Sequence, residues 1–210
     1  MADLKIGRMV LGPLQTNGYF VYREGCNKVI FIDPADAGEQ VCLKLKSLGF
    51  EVAAILLTHG HADHIAGCSA LRAASSAKVY ALDAEEEILQ SAELNISDWL
   101  GIRCTVKANA FFKDGEEVTI EDMTFKVIAT PGHTKGSCCY YFEEAGILVS
   151  GDTLFEESTG RSDLPTGSGG TLVRSIKEKL FVLPDDVKVY PGHGGSTTIG
   201  HEKTHNPFIQ

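Results

Sequence analysis

Ala53-Ala54-Ile55-Leu56-Leu57 runs without a break into Thr58-His59-Gly60-His61-Ala62-Asp63-His64. The apolar part belongs to the run Val52–Leu57, which is short and reads as a buried strand. Three imidazoles and a carboxylate follow within six residues. Packed together without a metal, such groups would repel on protonation and resist burial. With a metal they make sense, because imidazole and carboxylate suit borderline divalent ions such as zinc. His-x-His-x-Asp-His supplies four ligand groups, enough to serve two ions.

The same punctuation recurs three times further along. Phe125–Ala129 runs into Thr130-Pro131-Gly132-His133, Gly146–Ser150 into Gly151-Asp152-Thr153, and Val187–Tyr190 into Pro191-Gly192-His193-Gly194. A strand delivers its following loop to a fixed point on a sheet edge, and Gly lets the chain turn sharply there. Five of the seven histidines lie in these four loops, which random placement would rarely produce. Taken singly, His133 or His193 would read as a surface or satisfied core histidine, and Asp152 as a turn residue. Together they read as a two-metal site, a standard arrangement for hydrolysis.

Outward from these loops, Lys5–Leu11, Gly18–Arg23 and Lys28–Ile32 read as three opening strands. Asp36 to Leu48 has helical spacing, with Asp36 as a cap and Gly49 as a stop. Ile65 to Ala74 returns to helical spacing, Val79–Leu82 is a short strand, and Asp83–Leu89 a helix. Glu85-Glu86-Glu87 reads as a solvated helix face. Glu93 to Gly101 is irregular and holds the only tryptophan, Trp99, which reads as a core anchor. Val118–Ile120, Thr124–Ala129, Cys138–Phe142, Ile147–Val149 and Val187–Tyr190 are strand-like, and Thr171 to Leu180 is an amphipathic helix. Strands mixed with helices on this spacing predict an α/β (α+β) fold, a sheet-rich core covered by helices, in one domain over 1–210.

The chain has 210 residues and a formal net charge of −9. That sign argues against a nucleic-acid partner and against docking on anionic membranes. Six cysteines, none at C-x-x-C spacing, and an N-terminus that reads as strand and turn predict reduced thiols in a cytoplasmic protein. Adjacent Cys138 and Cys139 should point to opposite faces of a strand. The expected partner is a small molecule, with oligomeric state left open.

The segments Thr58–His64, Thr130–Thr134, Gly151–Phe155 and Tyr190–Gly194, in this order, resemble the metallo-β-lactamase superfamily of hydrolases, over nearly the whole chain. Residues 151–168 and 197–209 resemble its glyoxalase II-like (hydroxyacylglutathione hydrolase-like) branch, without the helical region that in those enzymes follows and grips glutathione. The resemblance implies an αββα sandwich, two mixed β-sheets face to face with helices outside. It also implies that His59, His61 and His133 hold a first metal, that Asp63, His64 and His193 hold a second, and that Asp152 bridges them. The implied cofactors are two divalent ions, zinc first, with iron or manganese as alternatives. The implied reaction is hydrolysis of a small-molecule thioester or ester substrate, such as S-lactoylglutathione, by metal-generated hydroxide, with Asp63 and Asp152 as the catalytic carboxylates.

Arg161 is the candidate for a substrate carboxylate, since a guanidinium fork matches one; an ion pair with Asp163 is the alternative. Persulfide dioxygenases are the rival within the resemblance. They share the THxHADH pattern and a segment like Gly160-Arg161-Ser162-Asp163, and would use His59, His133 and Asp152 for a single iron. A non-enzymatic metal-binding domain would be expected to have lost ligands, and all seven positions are filled.

Overall fold

In the computed structural model, residues 3–209 are described; residues 1, 2 and 210, the outer bounds of the expected domain, lie outside the described residues. The chain builds two six-stranded sheets. The first holds β1 (Leu4–Leu11), β2 (Thr16–Arg23), β3 (Lys28–Ile32), β4 (Glu51–Leu56), β5 (Lys78–Leu82) and β6 (Ala110–Phe112) in sequence order. β1, β2 and β3 pair antiparallel, and β3 to β6 run parallel.

The second sheet is made of β7 (Glu117–Ile120), β8 (Met123–Ala129), β9 (Cys138–Phe142), β10 (Ile147–Gly151), β13 (Lys188–Pro191) and β14 (Thr197–Thr198). Its spatial order is β14-β13-β10-β9-β8-β7, with β10 and β13 parallel and every other pair antiparallel. A small hairpin, β11 (Leu154–Phe155) with β12 (Ser158–Thr159), leaves the end of β10.

Period-two alternation sorts the side chains into three apolar layers. On β3, Ile30 and Ile32 enter the core between the sheets, against Phe125, Val127, Tyr140 and Val149 of the second sheet. Val29 and Phe31 face the other way, toward α1 (Gly38–Ser47) and α3 (Cys68–Ser75) through Val41, Leu45 and Leu71. On β9, Cys138 enters the inter-sheet core and Cys139 the outer layer, opposite faces as expected. That outer layer is completed by Leu172 of α6 (Gly169–Ser175), by Ile176 and Leu180 in the π-helical turn that extends it, and by Ile199 of α7 (Ile199–His205). The architecture is the expected αββα sandwich of two mixed sheets flanked by helices.

Direction matters more than layering for the site. β3, β4, β8, β10 and β13 all deliver their C-terminal ends to one rim of the sandwich. The two sheets are tied together there: Cys138 N–H donates to Thr58 O at 2.9 Å and Tyr140 Oη to Leu57 O at 2.7 Å. On the other flank Asn17 N–H donates to Gly192 O at 2.7 Å, and Tyr19 Oη to Pro191 O at 2.8 Å. The rim is a braced seam.

Four local expectations fail. Ile65 to Ala74 is not one helix: α2 (Ala62–Ile65) stops and α3 begins at Cys68, because Gly67 turns its N–H to Pro34 O at 2.9 Å. Asp36 does not cap α1; its Oδ1 takes the adjacent Ala37 N–H instead. Glu85 precedes α4 (Glu86–Gln90) and is fully buried, while Glu86 and Glu87 are exposed as expected. Trp99, in α5 (Ser97–Leu100), is 66% exposed and anchors no core. Sequence reading also missed β6, β14 and α7, two very short strands and a terminal helix with little periodicity.

Candidate metal centre

Seven side chains meet at the seam. His59, His61 and His133 form one group, and Asp63, His64 and His193 a second; within each, one ligand atom per residue lies within 4.8 Å of the others. Nδ1 of His61 is 2.8 Å from Nε2 of His133, which is 3.2 Å from Nε2 of His59. An ion bound tetrahedrally with nitrogen bonds of ~2.05 Å has ligand-to-ligand edges of about 3.3 Å, so these nitrogens stand near the spacing a metal requires.

Asp152 lies between the groups. Its Oδ1 is 3.3 Å from His64 Nε2, and its Oδ2 is 3.7 Å from His133 Nε2 and 3.6 Å from His193 Nε2. In the second group Asp63 Oδ2 is 3.3 Å from His193 Nε2 and 3.7 Å from His64 Nε2.

Three imidazoles have their tautomer set from behind. Thr58 Oγ1 donates to Asp33 Oδ2 at 2.6 Å and so accepts from His59 Nδ1 at 3.2 Å. His133 Nδ1 donates to Arg161 O at 2.7 Å, and His64 Nδ1 to Asp33 Oδ2 at 2.9 Å. Each bond turns Nε2 into the cluster, the usual way proteins orient imidazole ligands. His61 Nε2, His64 Nε2 and Asp152 Oδ1 are buried without a hydrogen-bond partner. Burying such atoms unpaired is costly. For His64 and Asp152 a shared cation removes the cost. The donor set, nitrogen and oxygen only, fits divalent metal ions.

Electrostatics divides the two groups. Burial, reinforced by the neighbouring imidazoles, holds His59 well below the ordinary imidazole value and His61 down at about 3. His64 is fully buried too, but Asp152, Asp63 and Asp33 outweigh burial and raise it well above the ordinary value. The carboxylates around His64 call for a cation, a proton or a metal. His193, 30% exposed, is raised in the same way by Asp63 and Asp152 against the opposing effect of burial.

Two further carboxylates support the ligand loops, and neither was singled out from sequence. Asp33, at the end of β3, also accepts Thr58 N–H at 2.8 Å, so one side chain fixes the start of the His59 loop and the ring of His64. Its signal was available: β3 is a fifth apolar strand ending in a potential ligand-side residue, Ile32-Asp33-Pro34. Glu85 accepts Gly60 N–H at 2.7 Å and Thr134 Oγ1 at 2.9 Å, joining the loop of His59 and His61 to the loop of His133. Burial pushes its carboxyl up to about 7, against those donors. Thr16 Oγ1, at the start of β2, donates to Asp63 Oδ2 at 3.1 Å. Gly192 is required by proximity: a Cβ there would lie 2.2 Å from Asp152 Oδ1 and 2.6 Å from His64 Cε1.

All seven predicted ligand residues therefore come together. The Arg161 side chain does not join them. It forks onto Asp163 with bonds of 2.7 and 2.8 Å at the surface, while its carbonyl holds His133. His201 and His205 stack on each other away from both groups, with His201 also 3.1 Å from Glu157 Oε1. Among the described residues no helix is long and apolar enough to cross a membrane.

Residues 11–193 match the family model of the metallo-beta-lactamase superfamily. The chain is 38% identical over 208 residues to the probable metallo-hydrolase YqgX of Bacillus subtilis, covering 98% of both chains. It is 31% identical over 198 residues to the hydroxyacylglutathione hydrolase GloC of Haemophilus influenzae, covering 93% of both. Among solved structures it is similar to the BLEG-1 B3 metallo-beta-lactamase, with a TM-score of 0.93, 39% identity and coverage of 98% of this chain and 99% of that one. It is also similar to TTHA1623 in a di-iron-bound form, with a TM-score of 0.86, 34% identity and coverage of 96% and 99%.

Proposed function

The chain belongs to the metallo-β-lactamase superfamily, a superfamily of metal-dependent hydrolases, and from that premise we propose that it is a dinuclear thioester hydrolase of the hydroxyacylglutathione hydrolase-like kind. The observation that carries the reading is Asp152, whose carboxylate stands between the two groups, with Oδ1 beside His64 of the second and Oδ2 beside both His133 of the first and His193 of the second. In this reading His59, His61 and His133 would hold a first ion and Asp63, His64 and His193 a second, with Asp152 between them. Two divalent ions held there, zinc by preference with iron or manganese as alternatives, supply Lewis acidity and hydroxide at neutral pH.

The residues supply position and charge. Asp63, steadied by Thr16, orients the attacking water. Asp152 fixes the spacing of the two groups. The reaction adds water across the thioester: a carbon–oxygen bond forms, the carbon–sulfur bond breaks, and the thiol leaves with a proton. No serine or cysteine nucleophile is required, and the thiols of Cys138 and Cys139 are buried and pushed up by that burial. Arg161 is assigned to a carboxylate of the thiol carrier, on the His133 side of the site. Its ion pair with Asp163 is exposed, and exposed pairs are weak, so exchanging one carboxylate for another costs little. The net charge of −9 supports a small-molecule substrate over a nucleic-acid or anionic-membrane partner.

A second reading, β-lactam hydrolysis, rests on the 39% identity to a B3 metallo-beta-lactamase. One assay panel separates the readings. Metal-replete protein is offered S-lactoylglutathione, other thioesters, simple esters, a β-lactam, and glutathione persulfide with an oxygen electrode. The proposal expects thiol release from thioesters with close to two ions per chain. Oxygen consumption with persulfide, one iron per chain, and activity that survives loss of His64 and His193 would make the chain a dioxygenase instead.

A further inference from the structure

Beside Asp63 the surface sinks into a hollow of about 240 Å³. Leu11, Pro13 and Leu14 of the β1–β2 turn form one wall, Leu100 and Ile102 the other, and Ala66 the floor. Thr16 and Asp63 close its inner end, where the second ligand group begins. We infer that this groove binds the acyl group of the substrate, and that the group is aliphatic and uncharged. The inference rests on the thioesterase reading and narrows it.

Three observations carry it. The first is exposure. Leu14, Leu100 and Ile102 are 48%, 40% and 48% exposed around one concavity. Isolated exposed apolar residues are ordinary, but several rimming a hollow beside a polar site are the pattern of a ligand pocket.

The second is charge. The charged side chains that line the groove are Asp36 and Asp63, with no Lys or Arg. With no cation along it, the groove offers a carboxylate-bearing group no partner, and Asp36 repels one, so a charged thiol carrier is directed elsewhere. Arg161 lies on the His133 side of the centre. The substrate would thus span the metals, with its acyl end at Asp63 and its carrier end at Arg161.

The third is that both walls are built and fastened to the ligand loops. The turn closes through Gln15 N–H to Gly12 O at 3.2 Å. Gly12 has φ +67°, and a Cβ there would lie 3.3 Å from Asp36 Cβ, so the glycine seats the turn against the groove's edge. Thr16 then holds Asp63 directly. On the opposite wall Ala62 N–H, between two metal-ligand residues, donates to Asn95 O at 2.9 Å, and Ile102 N–H donates to Ser97 O at 3.2 Å. A groove held by these bonds is preformed, which favours binding of a short apolar chain.

The test uses two chain-length series on the zinc-loaded protein. Calorimetry measures binding of acetate, butanoate and hexanoate, the carboxylates that hydrolysis would release. Kinetics follows the acetyl, butanoyl and hexanoyl thioesters of one common thiol. The expected result is a gain of about fourfold per methylene in both affinity and kcat/KM. In Leu14→Asp and Ile102→Asp the hexanoyl-to-acetyl ratio should collapse toward one; the wild-type series stands whether or not these variants fold. Flat series with intact thioester cleavage would overturn the groove and leave the proposed function standing. Graded carboxylate binding with no thioester cleavage would retain the groove and overturn the proposed function.

Discussion

The two ligand groups sit side by side yet are built on opposite principles. His59, His61 and His133 are nearly inaccessible, all imidazole, and kept neutral by burial and by one another. Asp63, His64 and His193 mix carboxylate with imidazole, are partly open to solvent at Asp63 and His193, and hold positive charge before any metal arrives. The first group is a prepared lone-pair cage whose ligands need no deprotonation. The second is a charge-balanced cluster in which a metal must displace a proton. On the dinuclear reading proposed above, the two ions should therefore be unequal: the first tightly held, the second exchangeable and sensitive to pH. The second group also carries the groove, so the looser ion lies on the side where the acyl group is assigned.

The strongest way to break the comparison is to remove what the groups share. Asp152→Ala should lower turnover by at least ~10²-fold while the circular dichroism spectrum stays native, because the strands leading into its loop are packed independently. Wild-type turnover in the metal-replete variant would dissolve the idea of a joint centre. Asp33→Asn comes next. It weakens the acceptor that His64 meets directly and His59 only through Thr58 Oγ1, so the second ion should bind about 10–100-fold more weakly and the first should lose less, as read by chelator competition. Equal loss of both ions would show that Asp33 supports the whole seam.

Glu85→Gln tests the first group's support. The amide keeps one acceptor oxygen but sets an NH2 against either Gly60 N–H or Thr134 Oγ1–H, which the two carboxylate oxygens accept separately, so about 1–3 kcal/mol of folding stability should go, read from denaturant midpoints. A variant as stable as the wild type would mean that the two ligand loops hold their places without it. pH sharpens the contrast. His64 is raised, so it carries a proton at neutral pH in the metal-free protein, and that proton must leave. Affinity for the second ion should therefore fall about tenfold per unit as pH drops. His61, near 3, is neutral throughout the range from pH 5 to 8, so the first ion should show little such dependence. The smallest expected effect is Arg161→Ala: a several-fold loss confined to glutathione thioesters, measured against thioesters of a neutral thiol. An equal loss on both series would assign Arg161 to structure.

What could be read from sequence and what could not divide along a physical line. Strand period, glycine punctuation and the His/Asp endings of β4, β8, β10 and β13 are local signals, and they sufficed for a sheet-rich α/β core and for a cluster of His and Asp residues at four strand ends; the αββα sandwich and the division of seven ligands between two ions came from the resemblance to the superfamily. The supporting residues act at long range and look ordinary locally. Glu85 sits in a run of three glutamates that reads as solvated, yet its burial is decided by Gly60 and Thr134, 25 and 49 residues away. Asp33 lies in none of the four ligand loops, and its partners Thr58 and His64 are 25 and 31 residues away. Trp99 reads as a core residue by size, but the short α5 leaves it at the surface, 66% exposed, and no local pattern announces that.

The central claim is that one carboxylate joins two unequal metal sites. Calorimetric titration of the metal-free protein with zinc tests it most directly. The account predicts two ions per chain in two resolved steps, the tighter one indifferent to pH and the weaker one releasing a proton. Saturation at one ion per chain would contradict it.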